Sequence, residues 1–208
     1  MLRVHYFNLA GPFTLHLIIL SLFVNNYLTA QQLFFSEIMF IPSESNSEFI
    51  EIYNPSNDNA LNINHFQIKY HTATSDEIIS TTDEYTLLPN HYAVIFEADY
   101  DFGNGVYKDL INEDVLVFIL DDNAFGSSGM SNSSDRIIYL ISSSADTLDV
   151  YTYTANNEKG FSDERKELTE NIWENSKVFN GTPGKKNSVA SVQYDLSVAE
   201  FFASASYV

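Results

Sequence analysis

The side chains best suited to chemistry lie in a glycine-rich stretch that contains Asp99, Asp101 and Asn104. Calcium prefers carboxylate and amide oxygens, so these three residues are candidate metal ligands. The stretch departs from the EF-hand pattern, because the required glycine is displaced and Leu110 stands where the bidentate glutamate belongs. Residues 121–123 form a second acidic turn. Calcium is the only ion predicted, and solvated loops are the alternative at both places.

Catalytic motifs are absent from the sequence. Cysteine is missing, which excludes cysteine nucleophiles, thiolate zinc sites and disulfides. The three histidines beyond residue 30, His65, His71 and His91, have no metal-ligand or catalytic motif around them. We therefore expect a noncatalytic protein without an organic cofactor.

The first thirty residues have the pattern of a secretory signal peptide. Arg3 is the only lysine, arginine, aspartate or glutamate among them, and an apolar run follows over residues 13–24. A helix that crosses a bilayer needs about 20 apolar residues, so this run is short for the alternative of a membrane span. The sequence predicts cleavage after Ala30 and a mature chain, secreted or at the cell surface, that begins at Gln31.

The charge of the chain limits its partners. Acidic residues outnumber basic residues 28 to 10, which gives a net charge of −18. Such a surface repels phosphate backbones, so nucleic acid is a poor partner, and we expect a protein or glycan at the cell surface. The basic residues collect late in the chain, with six in residues 159–186 against three in residues 31–158.

Short runs of β-branched and aromatic residues bounded by turn residues predict an all-β domain. In the run at 65–71, Phe66, Ile68 and Tyr70 alternate with polar residues, which is typical of a strand with one buried face. Residues 159–186 predict mostly loop, with one helical turn possible around Leu168 and Ile172. The strands are predicted at 33–41, 48–54, 65–71, 91–97, 115–120, 136–142 and 147–154. The predicted core contains Ile50, Ile52, Phe66, Ile68, Val117 and Ile138.

Several short motifs follow one another in a distinctive order. Tyr53-Asn54-Pro55 ends the most telling of them. The motifs cover residues 36–38, 48–55, 61–68, 127–135, 160–165 and 181–188.

Together these motifs resemble the lamin tail domain family. Two positions depart from its pattern: His65-Phe66 stands where Gly-Trp is usual, and Ser134 where Gly is usual. The resemblance implies an immunoglobulin-like β-sandwich over residues 31–188. Residues 189–208 are then a short tail or the start of a further domain. With the signal peptide, the resemblance points to the bacterial secreted members of the family.

The sequence also suggests one buried ion pair and three functions. Glu51 lies between two isoleucines, so it needs a partner if its face is buried, and Arg165 is the candidate; unrelated, solvated charges are the alternative. We expect a secreted or cell-surface noncatalytic interaction or structural module. The alternatives are an amino-terminal accessory domain of a larger secreted hydrolase and a calcium-dependent binding module.

Export gives the first testable prediction. Protein recovered outside the cytoplasm should begin at or near Gln31 when its amino terminus is sequenced, because cleavage follows Ala30. An exported chain that retains Met1 would contradict the predicted cleavage.

Overall fold

The computed structural model describes residues 33–167 and 170–191, which contain strands, turns and loops but no helix. The strands are β1 (Phe34–Met39), β2 (Phe49–Tyr53), β3 (Leu61–Asn62), β4 (Gln67–Tyr70), β5 (Ser75–Ser80), β6 (Thr86–Leu87), β7 (Tyr92–Phe96), β8 (Leu116–Leu120), β9 (Arg136–Ile141), β10 (Thr147–Tyr153), β11 (Asp163–Glu167) and β12 (Ile172–Asn175). No helix in this part of the chain is long and apolar enough to cross a membrane. The predicted signal peptide lies outside the described residues.

Ten of these strands form one curled sheet, in the order β10-β9-β4-β5-β8-β7-β2-β1-β11-β12, and β3 pairs with β6. All neighbours are antiparallel except β7 and β8. Strand β5 turns the corner, because its first half pairs with β4 and its second half with β8. The backbone N–H of Phe35 in β1 donates to Asp149 of β10 at 2.9 Å, so the two halves of the curled sheet meet. The immunoglobulin-like sandwich is confirmed.

The main core lies between the two halves of the sandwich. Its fully buried side chains come from both halves, as the alternation of buried residues along the strands predicts. Five of the six predicted core residues are in it, namely Ile50, Ile52, Phe66, Ile68 and Ile138. The prediction for Val117 is wrong: its side chain is half-buried and packs against a second cluster. Strand β8 is apolar on both faces, so the sequence alone does not show which residues face the main core.

That second cluster covers the outer face of β1, β2 and β7. Met39, Phe49 and Phe96 are fully buried there beneath the loop that carries Tyr100 and Tyr107. The rings of Phe96 and Tyr100 are stacked, with centroids 4.3 Å apart. Both faces of these strands are therefore buried, which leaves any polar side chain on them without solvent.

The predicted strands and turns are largely confirmed. All seven predicted strands exist, and β8 lies inside the sheet between β5 and β7. The side chain of Asn54 closes its own turn, since its Oδ1 accepts from Ser56 N at 3.1 Å. Asn90, which follows Pro89, has a positive φ of 58°.

The prediction for residues 159–186 is correct only in part. Most of this region is loop, as predicted, but it also contains the hairpin of β11 and β12, β11 pairs with β1, and the described residues form no helical turn. Ile172 lies in β12, and Leu168 is outside the described residues. Every residue of β11 is charged, so no hydrophobic periodicity in the sequence reveals the strand.

The core gives the second testable prediction. Replacing the fully buried Ile52 with alanine should lower the free energy of unfolding by roughly 2–5 kcal/mol in urea denaturation, because a cavity replaces its side chain. Ile172→Ala is the matched control, since Ile172 is 43% exposed and should cost much less. Equal costs for the two variants would contradict this placement of the core.

Candidate functional site

The predicted calcium ligands lie in the loop after β7, and each takes part in a hydrogen bond within the protein. Asp99 accepts from the side-chain amide of Asn46 at 2.8 Å. Asp101 accepts from Gly103 N at 2.8 Å and from the backbone and side-chain amides of Asn104 at 3.1 Å. The side-chain hydrogen bond from Asn104, with the backbone bonds, lowers the pKa of Asp101.

Asp101 therefore closes its own turn, with both carboxylate oxygens engaged. In the described part of the chain, no group of three or more histidine, aspartate or glutamate residues is arranged to hold a metal ion. Calcium at Asp99, Asp101 and Asn104 stays a prediction. The second acidic turn is also bonded within the protein, because Asp121 accepts from Glu77 N at 2.8 Å.

The histidines serve separate local contacts. His65 Nδ1 lies 2.7 Å from Glu77 Oε1, and His91 Nδ1 lies 2.7 Å from the carbonyl oxygen of Pro89. The backbone N–H of His71 donates to Ile137 O at 2.7 Å. The structure thus places these rings at three different turns.

Three fully buried glutamates form the most unusual group of side chains in the structure. Glu51 of β2 is opposite Glu37 of β1, and Glu37 is opposite Glu164 of β11. Residues that face each other across antiparallel strands point to the same side of the sheet. All three carboxyl groups therefore lie together on the outer face, and all are 0% exposed. We call them the glutamate cluster.

The chain after β12 covers this cluster and supplies most of its hydrogen bonds. We call residues 176–190 the closing segment. Glu164 accepts from Ser176 Oγ at 2.8 Å, Ser188 Oγ at 2.6 Å and Val189 N at 3.0 Å. Glu164 thus holds both ends of the segment.

The middle of the closing segment is held by the other two glutamates. Glu37 accepts from Thr182 N at 3.0 Å, and Glu51 accepts from Gly184 N at 2.5 Å. Gly181 has a φ of 72° and lies against Glu37 and Ser162, so a side chain there would be strained and would collide with them. The Gly-Thr-Pro-Gly motif is the backbone that fits over the cluster.

Neighbouring elements complete the cluster. The pairing of β1 with β2 shifts between Phe35 and Glu37, which leaves Ser36 as an extra residue whose hydroxyl donates to Glu51. Ser162 Oγ donates to Glu37 at 2.5 Å. In the described residues, no lysine or arginine forms a salt bridge with any of the three carboxyl groups.

Burial raises the pKa of Glu37 and Glu51, which have no salt-bridged cation among the described residues. Burial first, and then the negative charge of Glu164, raise the pKa of Glu37 to about 8. Burial, followed by the charge of Glu37, raises the pKa of Glu51 well above its ordinary value. The hydrogen bonds to both groups oppose these shifts without cancelling them.

The predicted pair of Glu51 and Arg165 is wrong. Arg165 follows Glu164 in β11, so its side chain points to the opposite face of the sheet. There its Nη1 donates to Asp149 Oδ2 at 2.7 Å, with the side chains 5% and 12% exposed. The same nitrogen donates to Phe35 O at 3.2 Å. Arg165 therefore joins the two halves of the sandwich rather than neutralising the cluster.

A groove of about 380 Å³ lies beside the closing segment. Three of the nine lysines and arginines after residue 30 line it, and Glu167 is its single acidic residue. Tyr53 and Tyr92 form part of its wall, with ring centroids 4.6 Å apart. The groove is lined by Tyr53, Pro55, Tyr92, Arg165, Lys166, Glu167, Lys186, Asn187, Ala190 and Ser191.

The cations of the groove differ in their engagement. Arg165 is bonded to Asp149, and Lys166 Nζ donates to Glu174 at 2.6 Å. Lys186 is exposed and forms no salt bridge with a described residue. Asn187 fixes the position of Lys186, because its Nδ2 donates at 2.8 Å to the carbonyl oxygens of Ser36 and Arg165.

Comparison with protein families agrees with this architecture, because the model of the Lamin Tail Domain matches residues 28–155. The chain belongs to the lamin tail domain family. Membership places it among immunoglobulin-like interaction domains. A comparison with curated proteins found no match.

The sheet of this chain continues beyond the matched residues. The motifs at 160–165 and 181–188 follow residue 155. The first contains Glu164 and the start of β11, and the second forms the middle of the closing segment. These motifs alone predict no function for Glu37, Glu164 or Lys186. The signal for the glutamate cluster is that three of the motifs each place a glutamate among residues of a buried strand.

Proposed function

We propose that this lamin tail domain is an exported, noncatalytic interaction module that binds its partner in the groove beside the closing segment. The observation that carries the proposal is the concentration of cations in that groove on a chain whose net charge is −18. Lys186 presents an ammonium group without a carboxylate partner among the described residues. The groove therefore suits a ligand that brings a carboxylate.

The overall negative charge does not prevent such binding. At physiological ionic strength, charges more than about 8 Å apart are largely screened, so the groups nearest the ligand dominate its binding. Lys186 lines the groove together with the rings of Tyr53 and Tyr92, whereas Arg165 and Lys166 are already paired with Asp149 and Glu174. Aromatic rings can pack on the apolar faces of a sugar or a peptide, while Lys186 pairs with a carboxylate of the same ligand.

The family of the chain and the signal-peptide pattern of residues 1–30 support the remaining parts of the proposal. Immunoglobulin-like interaction domains act through their surfaces, and the pattern of residues 1–30 favours export to the cell surface. The partner is then a carboxylate-bearing protein or glycan outside the cytoplasm. The groove provides a defined place on the module for that contact.

Binding of defined polyanions to the mature chain tests the proposal. We expect polygalacturonate or polyaspartate to bind at pH 6 in isothermal titration calorimetry, and uncharged dextran not to bind. The two polyanions distinguish an acidic glycan from an acidic protein segment. Lys186→Glu should weaken binding by about tenfold or more, because it replaces attraction with repulsion at the contact.

Lys185→Glu is the matched control. Lys185 is exposed next to Lys186 but does not line the groove, and its substitution changes the net charge by the same amount. Equal weakening by the two variants would indicate nonspecific attraction and contradict the groove as the binding site. Absence of binding to both polyanions would also contradict the proposal.

A further inference from the structure

The closing segment is both a wall of the groove and the cover of the glutamate cluster. Lys186, Asn187 and Ala190 contribute to the groove, whereas Thr182, Gly184 and Val189 donate their backbone N–H groups to the buried carboxyl groups beneath. The protonation state of the glutamate cluster can therefore affect the position of the groove wall.

Polar contacts rather than apolar burial provide most of the attachment. Pro183 and Val189 are buried, but Val178 and Phe179 are 44% and 56% exposed. The segment also contains Lys177 and Lys185, both exposed. The hydrogen bonds to the cluster are thus a large part of the attachment, beside the two that Asn187 donates to the carbonyl oxygens of Ser36 and Arg165.

Thr182 is shared between two carboxyl groups of the cluster. Its Oγ1 lies 3.1 Å from Glu37 Oε2 and 3.0 Å from Glu164 Oε1. A hydroxyl group has one proton, so Thr182 cannot give a full hydrogen bond to both carboxyl groups at once. A proton on either carboxyl group would satisfy the second contact, because that group could then donate to Thr182 Oγ1.

The other groups around the cluster do not supply positive charge. Tyr53 of β2, Tyr92 of β7 and Tyr107 of the covering loop are titratable groups of the neighbouring elements, and burial raises the pKa of all three phenols. The lysines of the closing segment are exposed and form no salt bridge with the cluster, namely Lys177, Lys185 and Lys186. Arg165 points to the other face of the sheet, where it pairs with Asp149. Full ionisation would therefore place three negative charges together in a site without solvent.

We propose that the closing segment is a pH-controlled wall of the groove, held on the sheet while the glutamate cluster is protonated and released when Glu37 and Glu51 ionise. Control of ligand binding rests on the proposed function, whereas release of the segment does not. Release would separate Lys186 and Asn187 from Tyr53 and Tyr92, and so dismantle the groove.

The direction of the effect follows from the proton affinities. A carboxyl group whose pKa is higher in the folded protein stabilises the closed form fully below its unfolded-state pKa. That stabilisation is lost as the pH rises through the folded-state pKa, which for Glu37 is about 8. The segment should be closed in mildly acidic solution and should open progressively from neutral to alkaline pH.

Hydrogen exchange of the mature chain from pH 5 to pH 9 tests the release. After correction for intrinsic exchange, protection of the Thr182 and Gly184 amides should fall by up to about tenfold per pH unit for each group that ionises. The amide of Ile78, which donates to Phe66 O at 2.9 Å in the core, should remain better protected at pH 9. Protection of Thr182 and Gly184 that does not change with pH would overturn the proposal.

Neutral substitutions identify the groups responsible. Glu37→Gln and Glu51→Gln should each reduce the pH dependence at Thr182 and Gly184, because glutamine does not ionise. Glu48→Gln is the matched control: Glu48 is also buried, its pKa is raised to about 9, and it accepts from Met130 rather than from the closing segment. An unchanged pH dependence in both Glu37→Gln and Glu51→Gln would overturn the proposal.

Binding of polygalacturonate at pH 6 and pH 8.5 tests control of the groove. Affinity should fall at pH 8.5 in the wild-type chain, and should fall less in Glu37→Gln. Equal affinity at both values, with the segment open at pH 8.5, would overturn the control of binding. Failure of both polygalacturonate and polyaspartate to bind at either value, with the exchange results as expected, would contradict the proposed function while leaving the release of the segment supported.

Discussion

Burial of three carboxyl groups without a cation is the constraint on which the rest of this structure depends. Glu37, Glu51 and Glu164 are held side by side by the pairing of β2, β1 and β11, and each is fully buried. A buried charge is costly unless it is hydrogen-bonded or neutralised by a proton. The fold meets this requirement with hydroxyl and backbone N–H groups from the closing segment, together with the raised pKa of Glu37 and Glu51.

This requirement explains why motifs far apart in the chain occur together. The motif that contains Glu37 and the one that contains Glu51 place acceptors on neighbouring strands, and the motif at 181–188 places donors above them. Glycine at 181 is part of the same arrangement, because only a residue without a side chain lets the backbone approach Glu37. The charged side chains are thus structural in origin, and the groove is formed by the segment that covers them.

Alternation along the strands accounts for what the sequence could and could not predict. Period-2 patterns in β4 and the apolar run of β8 identify strands correctly, and Ile50 and Ile52 identify one buried face. Strand β5 begins with polar residues at the sandwich corner, and β11 is charged throughout its described length, so neither has a local signal. Pairing with other strands in the fold, rather than a local pattern, makes both segments strands.

The same alternation explains the incorrect pairing of Glu51. Glu164 and Arg165 are adjacent, so if one shares a face with Glu51 the other cannot. The sequence shows that Glu51 needs a partner, but it does not show that Glu37, Ser36 and Gly184 surround it. Calcium at the loop of Asp99 and Asp101 stays a prediction, since its composition suits the ion and its hydrogen bonds show Asp101 also engaged by its own turn. Composition identifies candidate ligands, but backbone geometry decides where they point.

The protonation of the cluster can be measured directly. Carboxyl carbon chemical shifts of selectively ¹³C-labelled glutamate, assigned through Glu37→Gln and Glu51→Gln, report the ionisation of each group across a pH titration of the mature chain. The account predicts that Glu37 and Glu51 are protonated at pH 6, and that Glu37 ionises with a midpoint near the pKa of about 8. Titration of both groups near the ordinary glutamate value of 4.5 would contradict the account.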